Sequence, residues 1–281
     1  MKKILKLINW KALLVAFLIF FYLNVSGVQD LYFYAKNISL KLLIIVKVLH
    51  LVLLYLIFAK IHLLLIKIHE SKIKSEIIIS IIYFVILLSL LFLVWPGTWS
   101  WDDITILRNA AKFELTPWQH FLSGIFQILC LQTIPIPSGV IIIQILISSL
   151  IVGYSISNIS TLYGKNKKQV IILQVVLGLI LLSPPLIMYI LSGFRMGMYS
   201  YLELLLITEL IILYKKQNKA TFKDIIKISF LTIIISCWRT EGLYYPFFIL
   251  ILFFILGKKV ISKKIAILIF FIIMITNFYI G

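Results

Sequence analysis

Apolar runs and short polar breaks alternate along the whole chain. The runs fall at about 12–25, 42–64, 77–95, 119–135, 140–160, 169–191, 198–214, 225–238, 244–257 and 265–281. Most approach or reach the roughly 17–25 residues that an α-helix needs to cross a bilayer. Strict apolar–polar alternation, the mark of a barrel strand, is absent. In lipid only helices and closed barrels satisfy their own backbone groups. The pattern therefore predicts an all-α polytopic membrane protein.

The run 119–135 is the ambiguous one. It starts at Gln119 and His120, contains Gln127 and Gln132, and closes on Pro135, Ile136 and Pro137. Basic residues collect on the cytoplasmic side of membrane proteins, and this settles whether the run crosses. With a cytoplasmic N-terminus and a crossing run, 10 of the 27 Lys and Arg residues lie inside and 17 outside. With a run that does not cross, 20 lie inside and 7 outside. The second arrangement puts the lysine clusters at 67–74, 165–168, 215–227 and 258–264 in the cytoplasm. It predicts nine crossings in the cell membrane, with 96–139 as one large external loop carrying juxtamembrane helices. Trp95, Trp99, Trp101, Trp118 and Trp238 then fall at the outer boundary, where amphipathic rings settle; Trp10 is the inner exception. Residues 1–76 read as an N-terminal helical pair and 77–281 as the main transmembrane module.

Composition agrees. The 281-residue chain is 62% hydrophobic, against about half in a soluble domain, and its mean hydropathy is +1.11. The net charge of +17 reflects membrane topology and gives no reason to expect a nucleic-acid partner. Lys2 and Lys3 ahead of an apolar run could mark a signal peptide; an uncleaved first span is the expected reading. The last run reaches Gly281 with no polar tail, so the chain is expected to be a short member, or a fragment, of a longer type. Cys130 and Cys237 lie in apolar segments without metal-ligand spacing.

The external loop holds the chemistry. The stretch 104–115 has helical periodicity, and Asp103 suits the cap that such a helix needs. That accounts for one aspartate of the pair Asp102 and Asp103, which sits beside Trp101. Two neighbouring carboxylates can bind a divalent cation, or one can stay ionised and act as a base. His120, at the start of the next helix, is a candidate proton carrier or ligand, against the plainer reading of a hydrogen-bonded surface residue.

The three arginines, Arg108, Arg195 and Arg239, are all external in this topology, while every cytoplasmic cation is Lys. Arg is preferred where a planar fork must grip phosphate or carboxylate. Arg195 lies in the turn 192–197 and Arg239 in the segment 238–242; the plain alternative is that Arg239 pairs with Glu241 or Glu203. Glu203 and Glu209 lie inside a span, where ionisable groups face a cavity or a partner. Glu203 is about one turn below the outer surface, and Glu209 lies near the lysine-rich end. Lys47 can snorkel, and His50 shares its helix face. No phosphate-binding glycine loop, HExxH, G-x-S-x-G or CxxC motif occurs.

A span feeding an external loop with the acidic pair Asp102 and Asp103 after Trp101, then a short helix opening Pro117, Trp118, Gln119 and His120, resembles the start of the GT-C superfamily of membrane glycosyltransferases. The likeness is to the poorly characterised bacterial members and covers roughly 77–281. The segment Trp238, Arg239, Thr240, Glu241 and Gly242 is similar to an arginine-containing motif of that group. The resemblance implies transfer of a sugar from a polyprenyl-phosphate donor to a saccharide or protein acceptor on the outer face. It implies Asp102 or Asp103 as base, with Arg195, Arg239, Glu241, Glu203, His120 and Trp101 around the substrate. The turn 192–197 has no acidic residue, which departs from a metal site shared between two loops. The soluble C-terminal domain of many relatives is missing. Two alternatives stand beside this one. The first is a non-enzymatic lipid or polysaccharide transporter or export subunit, for which the Ser183-Pro184-Pro185 break in the span 169–191 is the relevant feature. The second is a small accessory protein without chemistry.

Overall fold

A computed structural model describes residues 9–25, 40–69, 74–115, 121–216 and 221–248, together with 251, 270 and 271. Among them the chain is helical, with no strand. The helices are α1 (Trp10–Val25), α2 (Leu40–His69), α3 (Lys74–Leu93), α4 (Trp101–Ala111) and α5 (Phe121–Thr133). Then come α6 (Pro137–Tyr163), α7 (Lys167–Leu181), α8 (Pro184–Ile190), α9 (Arg195–Lys216) and α10 (Phe222–Ser236), closed by a 3-10 turn at Thr240–Tyr244. Among the described residues four segments are long and apolar enough to cross a membrane: Leu40–Ala59, Ser75–Leu93, Pro137–Tyr163 and Arg195–Lys215. A fifth results if α7 and α8 form one span with a 62° bend. The apolar run at 265–281 lies almost wholly outside the described residues, and so does more than half of the run at 244–257.

Helix α6 is the axis of the bundle and packs against α3, α5, α7, α8 and α9. Its contact with α3 is close because Gly153 carries no side chain. A Cβ there would sit 2.0 Å from Ser80 Oγ and 2.4 Å from the Glu76 carbonyl. Small residues at such crossings let membrane helices approach until their backbones nearly touch. Leu87, Leu91, Ile141, Ile145, Leu206 and Ile235 fill the main core. A second core joins α2, α4, α5 and α6 through Val46, Ala110, Ile128, Cys130 and Val140. His50 is fully buried there, and its Nε2 lies 3.1 Å from Thr133 Oγ1. It ties α2 to α5. Cys130 and Cys237 are both buried, and neither is in a disulfide.

The bend between α7 and α8 follows from two prolines. The carbonyls of Ile180 and Leu181 would normally accept from residues 184 and 185, which are both Pro and have no N–H. Ser183 N–H covers the Ile180 carbonyl at 3.1 Å. The Tyr83 hydroxyl donates to the Leu181 carbonyl at 2.8 Å, and Tyr201 donates in turn to Tyr83. At the far end of α9, Lys227 of α10 pairs with the buried Glu209 at 2.5 Å.

Candidate functional site

Three segments far apart in sequence meet at one end of the bundle. The first is the loop after α3. Gly97 has φ +113, a conformation that side chains disfavour, and a Cβ there would meet Ile141 Cδ1 at 2.0 Å and the Leu191 carbonyl at 3.0 Å. Thr98 N–H donates to that same carbonyl at 3.0 Å, and Thr98 bridges to Ser192 in parallel register. Trp99 lies over Gly193, where an added Cβ would sit 2.2 Å from the indole ring.

The second segment is the turn after α8. Gln144 of α6 donates to the Ser192 carbonyl at 3.0 Å, and Gln127 of α5 donates to the Gly193 carbonyl at 3.1 Å. Two buried amides thus anchor the turn that ends at Arg195. The third segment follows α10. Trp238 packs on Phe126 at 5.2 Å between centroids, and its indole N–H donates to the Arg195 carbonyl at 3.1 Å. Arg239 donates to Glu241 at 2.6 Å and lies over the Tyr199 ring, 5.6 Å from its centroid.

The paired aspartates part company here. Ser100 caps α4, and Asp103 completes a capping box with it. Asp103 Oδ2 accepts from Ser100 Oγ at 2.7 Å and from Ser100 N–H at 3.1 Å. Asp103 is only 1% exposed, and its Oδ1 is buried without a hydrogen-bond partner. Burial pushes its carboxyl above the usual carboxylate range, the Ser100 bonds oppose the rise, Asp102 adds to it, and Arg195 opposes it. Asp102 is exposed and lies outside the capping box. Successive helix positions do not face each other, so one cation held between both carboxylates does not fit this geometry. Among the described residues no three His, Cys, Asp or Glu side chains form a metal-binding group.

Arg195 lies within electrostatic range of Arg239, Glu241, Asp102 and Asp103. Five of the residues singled out in the sequence therefore form one charged cluster. Glu241 is mostly exposed, and its carboxyl is held below the usual range, first by a backbone hydrogen bond and then also by Arg239. Glu203 stands beside the cluster and pairs with neither arginine; it accepts from the Tyr245 hydroxyl. Tyr245 in turn packs edge-on against Tyr199, 6.4 Å away, the ring beneath Arg239. Trp101 is 81% exposed and stands away from the cavity described below. His120 lies outside the described residues. Gln127, Gln144 and Tyr199 were not singled out for the site. Gln127 did leave a signal, as a polar amide inside an apolar run.

A cavity of about 540 Å³ opens beside the cluster, lined by Thr98, Trp99, Ser100, Asp103, Pro185, Met188, Tyr189, Ser192 and Phe194. That is within the usual size of a small-ligand site, roughly 300–1,000 Å³. No family model, curated protein or solved structure matches the chain.

Proposed function

We propose that this protein is a glycosyltransferase of the cell membrane, moving a sugar from a polyprenyl-phosphate donor to an acceptor on the outer face. The observation that carries the reading is the gathering of Arg195, Arg239, Glu241, Asp102 and Asp103 at one end of the bundle. An acceptor hydroxyl needs a base as it attacks the anomeric carbon. Asp102 takes that role, because its carboxylate is exposed and free of the capping box. The leaving lipid phosphate gathers negative charge, which Arg195 and Arg239 stabilise in a partly dry site. Arg239 is already oriented by Glu241 and by the Tyr199 face, so little ordering remains when phosphate arrives.

In this reading the N-terminus is cytoplasmic and the chain crosses nine times. Helix α5 stays on the outer side. Its 13 residues rise about 20 Å, short of the roughly 30 Å hydrocarbon core. Helices α1 and α10 are nearly as short but expose apolar faces, among them Phe17, Leu18, Ile226 and Phe230. None of the described α5 side chains is exposed, as suits a helix packed into a protein-lined pocket.

The test is sugar transfer from labelled polyprenyl-phosphate sugars by purified membranes. Asp102→Asn is expected to lower turnover by roughly 10²–10⁴-fold while donor binding persists. Arg239→Lys should weaken both, since Lys cannot reproduce a forked contact. Wild-type transfer by folded Asp102→Asn protein would remove the proposed base. The 62° bend at the Pro184-Pro185 break favours one alternative, a lipid or polysaccharide transporter, because broken helices serve transport sites. In that case lipid would move with no sugar transferred.

A further inference from the structure

The cavity at the outer end has a chemical bias that the charged cluster beside it does not share. Its hydrogen-bonding side chains are already committed inward. Thr98 Oγ1 donates to the Leu191 carbonyl at 3.3 Å, Ser100 Oγ to Asp103 Oδ2 at 2.7 Å, and Ser192 Oγ to the Tyr189 carbonyl at 2.9 Å. The Trp99 indole N–H points to the Pro96 carbonyl at 3.4 Å. Each hydroxyl has spent its single proton and has only lone pairs left to offer. Apart from the Tyr189 phenol and the Trp99 indole N–H already given to Pro96, the side-chain polar atoms of the wall are acceptors.

The strongest acceptor group among the wall residues is the Asp103 carboxylate, whose Oδ1 is buried and has no hydrogen-bond partner. A buried carboxylate oxygen left unpaired is costly, and most such atoms have an explanation in a ligand or a network. Arg195 acts on Asp103 through space but is not on the wall and makes no hydrogen bond to Oδ1. The rest of the wall is apolar or aromatic: Trp99, Pro185, Met188, Tyr189 and Phe194, with the Tyr189 and Phe194 rings stacked 6.0 Å apart. Aromatic faces attract cations, and a polar wall made mostly of acceptors disfavours anions.

These features select among ligand groups. A sugar hydroxyl is both donor and acceptor, and only the Tyr189 phenol could meet its acceptor side. A phosphate or carboxylate would face mostly acceptors, with the Tyr189 phenol the one uncommitted side-chain donor among the lining residues. An ammonium group has three donors and no acceptor, carries positive charge, and suits both the carboxylate and the aromatic faces. We infer that this cavity binds a primary ammonium group, carried either by an amine-bearing lipid headgroup or by a soluble amine such as an amino sugar. The inference stands on the cavity alone and does not rest on the transferase reading.

The test is binding of radiolabelled ethanolamine to the purified chain in dodecyl maltoside, measured by equilibrium dialysis. Saturable binding is expected. Glucosamine should compete, and glucose should not. Asp103→Asn should weaken binding roughly tenfold or more, the usual worth of a hydrogen bond to a charged group. Because that change also touches the helix cap, Met188→Trp is the second variant. Met188 is 69% exposed, so a larger side chain there fills the cavity while the cap stays intact, and binding should again fall. Short-chain phosphatidylethanolamine competing where phosphatidylglycerol does not would identify a lipid source; competition by soluble amines only would identify a soluble one. Absence of saturable binding, equal competition by glucose, or full binding by both variants would overturn the inference. Asp102→Asn should leave amine binding unchanged even if it abolishes transfer, so the two readings fail separately.

Discussion

Asp102 and Asp103 are adjacent, yet a helix turns about 100° between neighbours, and that turn sends one carboxylate to solvent and the other into the protein. The buried one has a measurable consequence. A carboxyl raised on folding holds its proton more tightly in the folded chain than in the unfolded one. Stability from this group is therefore fully present below the ordinary aspartate value of about 3.9 and falls as pH climbs from there to the raised value. Ser100 and Arg195 work against the rise and Asp102 adds to it, but burial is the first cause. Melting curves in detergent should show wild type losing stability across that window relative to Asp103→Asn, with parallel curves above it. Curves that run parallel throughout would mean that Asp103 is not held up by burial. Sequence pattern made Asp103 itself the cap of a helix over 104–115; the helix instead starts at Trp101, Ser100 is its cap, and Asp103 closes the capping box from the third helical position. Pattern could not show which oxygen would be left over. That depends on how the loop 96–100 folds back on residues 191–193, a contact between segments more than 90 positions apart.

At the scale of elements, hydropathy made the helices legible because each must hide its own backbone from lipid. Runs at 42–64, 77–95, 140–160 and 198–214 became α2, α3, α6 and α9. The Ser183-Pro184-Pro185 break was visible for the same backbone reason, since proline removes donors. What closes the break was not visible. Tyr83 sits in the middle of an apolar run and reads there as one more large side chain, yet its hydroxyl meets the Leu181 carbonyl that Pro185 leaves open. Tyr83→Phe keeps the ring and removes that donor. The buried carbonyl then goes unpaired, at a cost of about 1–3 kcal/mol. Helix α8 carries Met188 and Tyr189 to the cavity wall, so the variant should show a lower melting temperature and weaker ethanolamine binding together. A melting temperature equal to wild type would mean that another group covers the Leu181 carbonyl.

For the whole molecule, the proposed orientation rests on the charge distribution, and the side that the site faces follows from it. If the lysine clusters face the cytoplasm, the end of the bundle where Arg195 and Arg239 meet the aspartates faces out. Every step of the proposed function needs this orientation, because a lipid-linked donor on the outer leaflet can only be read from there. The reach between residues 102 and 239 could not be derived from pattern, since it depends on tertiary contacts such as the packing of α5 against Trp238, Gln127 against the turn at Gly193 and the Trp238 indole on the Arg195 carbonyl. Orientation can be tested directly. Cys130 and Cys237 are both buried, so a thiol reagent that does not cross membranes should find few native sites. Lys165 lies in the short exposed turn between α6 and α7, and Glu114 is exposed after α4. Lys165→Cys should be labelled only after the membrane is permeabilised, whereas Glu114→Cys should be labelled in intact cells. These two positions enclose α5 and α6, and their opposite labelling requires one crossing between them, which α6 supplies. Labelling of both from outside would mean that α5 crosses as well. The charge argument would then fail, and the two arginines would lie on the opposite side of the membrane from the aspartates.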